Sequence, residues 1–213
     1  MRYFQREPLS PSIQRQLSSK TSTEFNLTDA QRRDIIKKLL SSQKSICAYC
    51  ECLLMQKKVT NKRDEINFHI EHFEEQHDTP LKVFHYSNYL LSCDGDRHPV
   101  SKPEDIAITQ SRKANISCGY GKENSRHNKV EINYSLLLNP TDNVSTLFSY
   151  ENGVVEPSKI CSPNEAFQVK YTIKRLNLDA ERLEKARINQ IELVIEDLIP
   201  LTEDMQKPIF AVY

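Results

Sequence analysis

Apolar residues change their spacing several times along this chain, and each change marks an element. Ile35, Ile36, Leu39 and Leu40 recur at helical spacing behind Thr28, and Gln31 stands three residues after that threonine. Such a pair can form a capping box, so the pattern predicts a helix from about Asp29 to Gln43. Residues 1–27 show no comparable period. Pro8 and Pro11 read as breakers before the Ser/Thr-rich run Ser18 to Thr23, and an irregular arm is expected there. Ile66-Asn-Phe-His-Ile-Glu-His-Phe73 alternates like a short strand, with His69 and Glu71 on one face and His72 on the other. A helix is expected from Gly121 to Lys129, and Glu131 to Leu138 is apolar enough for a strand ending at Asn139-Pro140.

The C-terminal part carries sharper punctuation. Phe148 to Glu156 reads as a β-hairpin turning at Asn152-Gly153, a dipeptide that suits the positive φ angles of a type I′ turn. Ser162-Pro-Asn-Glu165 is a second capping box, with proline at the first helical position, and opens a helix from about Pro163 to Leu176. A further helix from Asp179 carries Leu183, Ala186, Ile188, Ile191, Val194 and Ile195 and is expected to end near Pro200. Those positions read as core, with a partner-binding groove as the alternative.

Composition narrows the class. A chain of 213 residues suits one ordinary domain. An arm and helix (1–44), a central segment (45–130) and a hairpin with helices (131–213) are expected to form one globular unit. Lys and Arg total 29 and Asp and Glu total 29, so any attraction for nucleic acid must come from local patches or a partner. Arg32, Arg33, Lys37 and Lys38 form either a phosphate-facing patch or a solvated helix face, and Lys170, Lys174, Arg175, Arg182, Lys185 and Arg187 are further candidates for phosphate contact. No run of about 18 apolar residues and no signal-peptide core are seen, which predicts a soluble, cytoplasmic protein without a membrane partner.

Six cysteines in such a chain read more economically as metal ligands than as disulfides. Cys47-x-x-Cys50 lets two thiolates of a tight knuckle reach one tetrahedral ion, usually Zn²⁺. A redox pair has the same spacing but wants a strand before it and a helix directly after, whereas here a helix precedes and the charged stretch Gln56 to Glu65 follows. Cys93 and Cys118 are available as the second pair, provided that Asp94 to Ser117 loops out between them. Cys52 and Cys161 read as spare thiols. Between the pairs, Glu71 and His72 are adjacent and Asn88 follows in Tyr86-Ser-Asn-Tyr-Leu-Leu-Ser-Cys93. Phosphodiester hydrolysis needs an activated water, a divalent ion and a group that fixes the tautomer of the base. His72, Glu71 and Asn88 can fill these roles.

The series Cys47-x-x-Cys50, Glu71-His72, Asn88, Leu90-Leu-Ser-Cys93 and Cys118-Gly-Tyr-Gly-Lys122 resembles the HNH endonucleases, and more narrowly the PtuB-type HNH proteins of Septu and retron anti-phage systems. The resemblance implies an α+β fold: a ββα-metal core with a four-cysteine zinc knuckle, flanked by an N-terminal helix and a C-terminal helical pair. It implies an endonuclease acting on DNA, tRNA or other RNA with a PtuA-like ATPase, and in some systems with a retron reverse transcriptase and its msDNA. Under it, His72 is the general base, Glu71 a ligand of a catalytic Mg²⁺ or Mn²⁺, Asn88 the residue that orients His72, and Cys47, Cys50, Cys93 and Cys118 the structural zinc ligands. The third motif position departs from the pattern: many relatives read Cys-Gly-His-x-Lys, and here the histidine is Tyr120. A neutral phenol is a poor Mg²⁺ ligand, so His127 and Asn124 are the expected substitutes. The rival expectation is a zinc-stapled module that docks on the ATPase and binds nucleic acid without cutting it.

Overall fold

Capping chemistry starts two of the helices where the sequence places them. In the computed structural model, which describes residues 1–57, 65–95, 115–127 and 131–206 and their side chains except at 56–57, 65, 123–127 and 197–206, α2 spans Asp29–Ser42. Gln31 N donates to Thr28 Oγ1 (3.3 Å) and Thr28 N donates to Gln31 Oε1 (3.0 Å), satisfying two otherwise orphan donors. Ile35 and Leu39 turn inward and are fully buried. The same reciprocal bonds between Ser162 and Glu165 open α4 (Pro163–Leu176), and Asn177 closes it in the left-handed conformation at φ 50°.

The N-terminal arm is not irregular throughout, because α1 spans Pro11–Ser18. Pro11 starts this helix and does not break it: at the first helical position the missing N–H has no intrahelical partner to lose. Ile13 and Leu17, one turn apart, bury its inner face. Ahead of it the arm crosses the protein, with Phe4 N donating to Pro140 O (3.2 Å) and Arg6 donating to Ser87 O (2.8 Å) and to Tyr89 O.

The centre is an antiparallel pair, β3 (Phe68–His72) and β4 (Tyr89–Cys93), with Phe68 opposite Cys93 and His72 opposite Tyr89. Every residue of β4 is buried. α3 (Cys118–His127) packs on β4 and against α4, so two strands and one helix meet at the cysteines. Two smaller antiparallel pairs complete the strands: β1 (Gln56–Lys57) with β2 (Glu65–Ile66), and β5 (Phe148–Glu151) with β6 (Val154–Pro157). The β5–β6 turn has Asn152 and Gly153 at φ 48° and 82°, as the dipeptide predicts. The chain is therefore a mixed α+β protein, and the arm, the central strands and the C-terminal helices share one buried core.

Three expectations need correction. α3 begins at Cys118, earlier than Gly121. Residues 131–138 form a turn, because Asn133 Oδ1 captures Ser135 N (3.1 Å) and Ser135 Oγ (2.6 Å) and reverses the chain locally. Leu137 and Leu138 are buried there without a ladder, Leu138 N donating to Thr172 Oγ1 (2.9 Å). Finally, α5 (Glu181–Gln206) runs past Pro200, and its apolar positions are not all core: Leu183 is buried, but Ile191, Val194 and Ile195 are about half exposed. Among the described residues no helix is long and apolar enough to cross a membrane.

Candidate active site and metal centre

The knuckle that carries Cys47 and Cys50 is a tight reversal. Cys47 N donates to Cys52 O (2.8 Å), Glu51 N donates to Cys47 O (3.1 Å), and Glu51 takes a positive φ of 64° to close the loop. β4 ends at Cys93 and α3 begins at Cys118. Together they bring the sulfurs of Cys47, Cys50, Cys93 and Cys118 within 4.8 Å of one another, with Cys50 and Cys93 at 3.7 Å. Cys93 N, 3.4 Å from Cys47 Sγ, and Ser117 Oγ, 3.6 Å from Cys118 Sγ, point donors at sulfur and favour thiolates. The hydrogen bond from Cys118 holds the Cys93 thiol down to about 5, while hydrogen bonding with Cys47 pushes Cys118 up, so in the crowded cluster some sulfurs give up their protons and others keep them. A divalent cation removes that division, and the cluster can hold a metal ion such as zinc.

The stretch between the second pair leaves and returns through a pinch. Ser117 N donates to Gly95 O (3.1 Å), and Gly95 sits at φ 58° where an added Cβ would lie 2.3 Å from Ser117 O. Only glycine fits there. Asn177 Nδ2 and Arg182 Nε hold the returning chain at Ile116 O (2.8 Å) and Asn115 O (3.0 Å). Residues 96–114 lie outside the described residues. Of the remaining cysteines, Cys161 bonds Leu147 O (3.3 Å), whereas Cys52 sits against the cluster, its thiol pushed up by hydrogen bonds with Cys47, Cys50 and Cys93.

At the end of β3 the predicted alternation holds: Glu71 faces His69, and His72 lies on the other face against Phe25 (4.5 Å) and Tyr89 (5.1 Å). His72 Nε2 lies 3.0 Å from Val83 O, and a carbonyl only accepts, so Nε2 carries the proton and Nδ1 is left with its lone pair. Gln76 Nε2, 3.3 Å away, donates to that lone pair. Burial pushes the His72 pKa below the usual 6.5, which keeps the ring neutral at pH 7.

Asn88 acts differently from the expected role. Its Oδ1 accepts from Glu74 N (2.8 Å), and its Nδ2 donates to Glu74 O (2.9 Å) and Lys82 O (3.4 Å). It therefore braces the loop that carries Val83 O, and that carbonyl orients the imidazole. The difference arises because His72 and Asn88 flank the β3–β4 connection, where main-chain groups need partners before side chains do.

Glu71 is buried and charged. Burial opposes the charge, but Lys122 Nζ at 2.5 Å from Oε1 and His69 Nε2 at 3.3 Å from Oε2 hold its pKa down to about 2. Lys122 is only 1% exposed and also donates to His72 O (2.5 Å) and Phe73 O (2.9 Å), so one ion pair and two hydrogen bonds tie the carboxylate to the end of the strand. Tyr120 packs on the His69 ring at 4.4 Å. Gly119 comes nearer to the carboxylate: an added Cβ would lie 2.6 Å from Glu71 Oε2 and 3.1 Å from His69 Nε2. The side chains of the expected cation ligands Asn124 and His127 lie outside the described residues. His69, Glu71, His72, Gln76, His77 and Tyr120 share a cleft of about 360 Å³.

In the sequence Lys122 stood only as the last residue of the motif Cys118-Gly-Tyr-Gly-Lys122, with no role attached, and His69 only as a residue sharing a strand face with Glu71. No protein-family model and no curated protein matches the chain.

Proposed function

We propose that this chain is a metal-dependent HNH-type endonuclease hydrolysing phosphodiester bonds of DNA, tRNA or other RNA. The observation that carries the reading is the state of His72: neutral, with Nε2–H held by Val83 O and Nδ1 left as a base, beside a buried carboxylate in one cleft. That is what a general base for water needs. The pair β3–β4 with α3 supports a ββα-metal core. Zinc fits the cysteines, since bonds of about 2.3 Å in a tetrahedron put sulfurs about 3.8 Å apart, and Cys50 and Cys93 are 3.7 Å apart. A zinc ion held by these four cysteines would staple α3 to β4 and so help set where Lys122 meets Glu71.

In the reaction, His72 Nδ1 takes the proton of a water aligned with phosphorus, and Val83 O stabilises the imidazolium that forms. Gln76 steers the ring's lone pair until water replaces it. Glu71 would hold a Mg²⁺ or Mn²⁺, which would supply charge for the leaving oxyanion. Neutral overall charge calls for help in binding a polyanion, and the half-exposed Ile191, Leu193, Val194 and Ile195 on α5 support a protein partner such as the PtuA-like ATPase of anti-phage systems.

A second reading has its own observation. Lys122 already neutralises Glu71, which weakens the carboxylate as a cation ligand and favours a docking module that binds nucleic acid without cutting. Cleavage of plasmid DNA and total tRNA with Mg²⁺ or Mn²⁺, by the zinc-loaded chain with and without the neighbouring ATPase, separates the two. Cutting abolished by His72→Ala with zinc content unchanged is the expected result. Cutting at the native rate by that variant, or none by the native complex, overturns the nuclease.

A further inference from the structure

Among the described side chains the nuclease reading gives the cation one ligand, Glu71, and the start of the helix that should supply another presents Gly119 and Tyr120 there. Gly119 offers no side chain, and the space its Cβ would take is filled by Glu71 Oε2 and His69 Nε2. We infer that His69 is the second protein ligand, so that His69 Nε2 and Glu71 Oε2 form a mixed nitrogen–oxygen site that prefers first-row transition ions to Mg²⁺. This rests on the nuclease reading for the role of the cation, not for its binding.

Geometry carries the assignment. The two atoms converge at 3.3 Å. Donors at that separation, each about 2.1 Å from a shared ion, subtend about 100° at it, between the octahedral and tetrahedral values. The two side chains leave the same strand face two residues apart, and Tyr120 at 4.4 Å holds the imidazole plane. Lys122 occupies Oε1, so Oε2 alone faces His69 and the cleft. Glu71 therefore does not chelate with both oxygens. An imidazole nitrogen suits transition ions, while Mg²⁺ demands oxygen donors and keeps its waters. With two protein donors among the described residues and Lys122 close by, the site would bind weakly alone and would leave other positions of the ion to water or to phosphate oxygens.

The test uses the full chain with zinc on its cysteines and Mn²⁺ as probe, because thiolates hold Zn²⁺ in preference to Mn²⁺. Mn²⁺ binding is followed by electron paramagnetic resonance, and electron spin-echo modulation reports a directly bound nitrogen. The native chain is expected to bind one Mn²⁺ with a ¹⁴N signal. His69→Ala and His69→Phe, the latter keeping the ring against Tyr120, lose that signal and bind Mn²⁺ about tenfold or more weakly, the scale of losing a ligand's support, with little change for Mg²⁺. His127→Ala keeps the signal. His72→Ala keeps both signal and affinity while cutting nothing, which separates failure of this inference from failure of the nuclease. A ¹⁴N signal surviving in both His69 variants, or no Mn²⁺ bound by the native chain, overturns it.

Discussion

Replacing Lys122 with methionine strands a charge inside the protein. The native carboxyl of Glu71 sits at about 2 against an ordinary 4.5, which corresponds to about 3 kcal/mol in favour of its ionised form. Breaking a buried ion pair by deleting one partner independently costs about 3–5 kcal/mol. Two carbonyls, His72 O and Phe73 O, also lose their donor. Lys122→Met should therefore lose about 3–4 kcal/mol at pH 7.5, a large share of the roughly 5–15 kcal/mol of a typical domain.

The sign of the pH dependence follows. In the native chain Glu71 is depressed, so its contribution is complete above 4.5 and lost only as pH falls toward 2. Without Lys122, burial outweighs what the His69 contact restores, the folded pKa rises above 4.5, and stability is lost as pH rises through it. Urea unfolding between pH 5 and 7.5, with zinc content monitored, should show a gap that widens with pH. Adding Glu71→Gln to Lys122→Met should recover about 2 kcal/mol and flatten the profile. A cost below about 1 kcal/mol at pH 7.5, or an equal gap at both ends, refutes the ion-pair reasoning.

On the proposed nuclease reading, other outcomes follow from the same site. Asn88→Ala removes the three bonds that brace the 73–83 loop and should cost about 2 kcal/mol while lowering kcat far more than it changes zinc content; native kcat would exclude the bracing role. Because burial lowers the His72 pKa, the base form persists below 6.5 and is lost only as pH falls through the lowered value, so the acid limb of kcat/KM should lie below 6.5; a limb above it contradicts the assignment. Cys93→Ser, or a strong chelator, should release one zinc per chain and lower the melting temperature by many degrees, and an unchanged melting curve with no zinc found would remove the metal centre.

How much was readable in advance depends on the range of the physics involved. Thr28 with Gln31, Ser162 with Glu165, and Asn152-Gly153 each act within four residues, so the sequence alone determined those caps and that turn. The period of two in β3 likewise determined that His69 and Glu71 share a face. The cysteines at 47, 50, 93 and 118 could be paired from chemistry, although the pinch of Gly95 on Ser117 that makes the pairing possible was invisible. Pro11 misled because the same residue breaks a helix inside it and starts one at its first position, and only the burial of Ile13 and Leu17 decides between them. Glu131 to Leu138 misled because Asn133 spends its side chain on a local turn and the leucines find their core without a partner strand. The partners of Lys122, Val83 O and Gly119 were beyond reach for one reason: each matters through what lies opposite it across a packed interface, and a partner eleven or fifty positions away is decided by tertiary packing, not by neighbours in sequence.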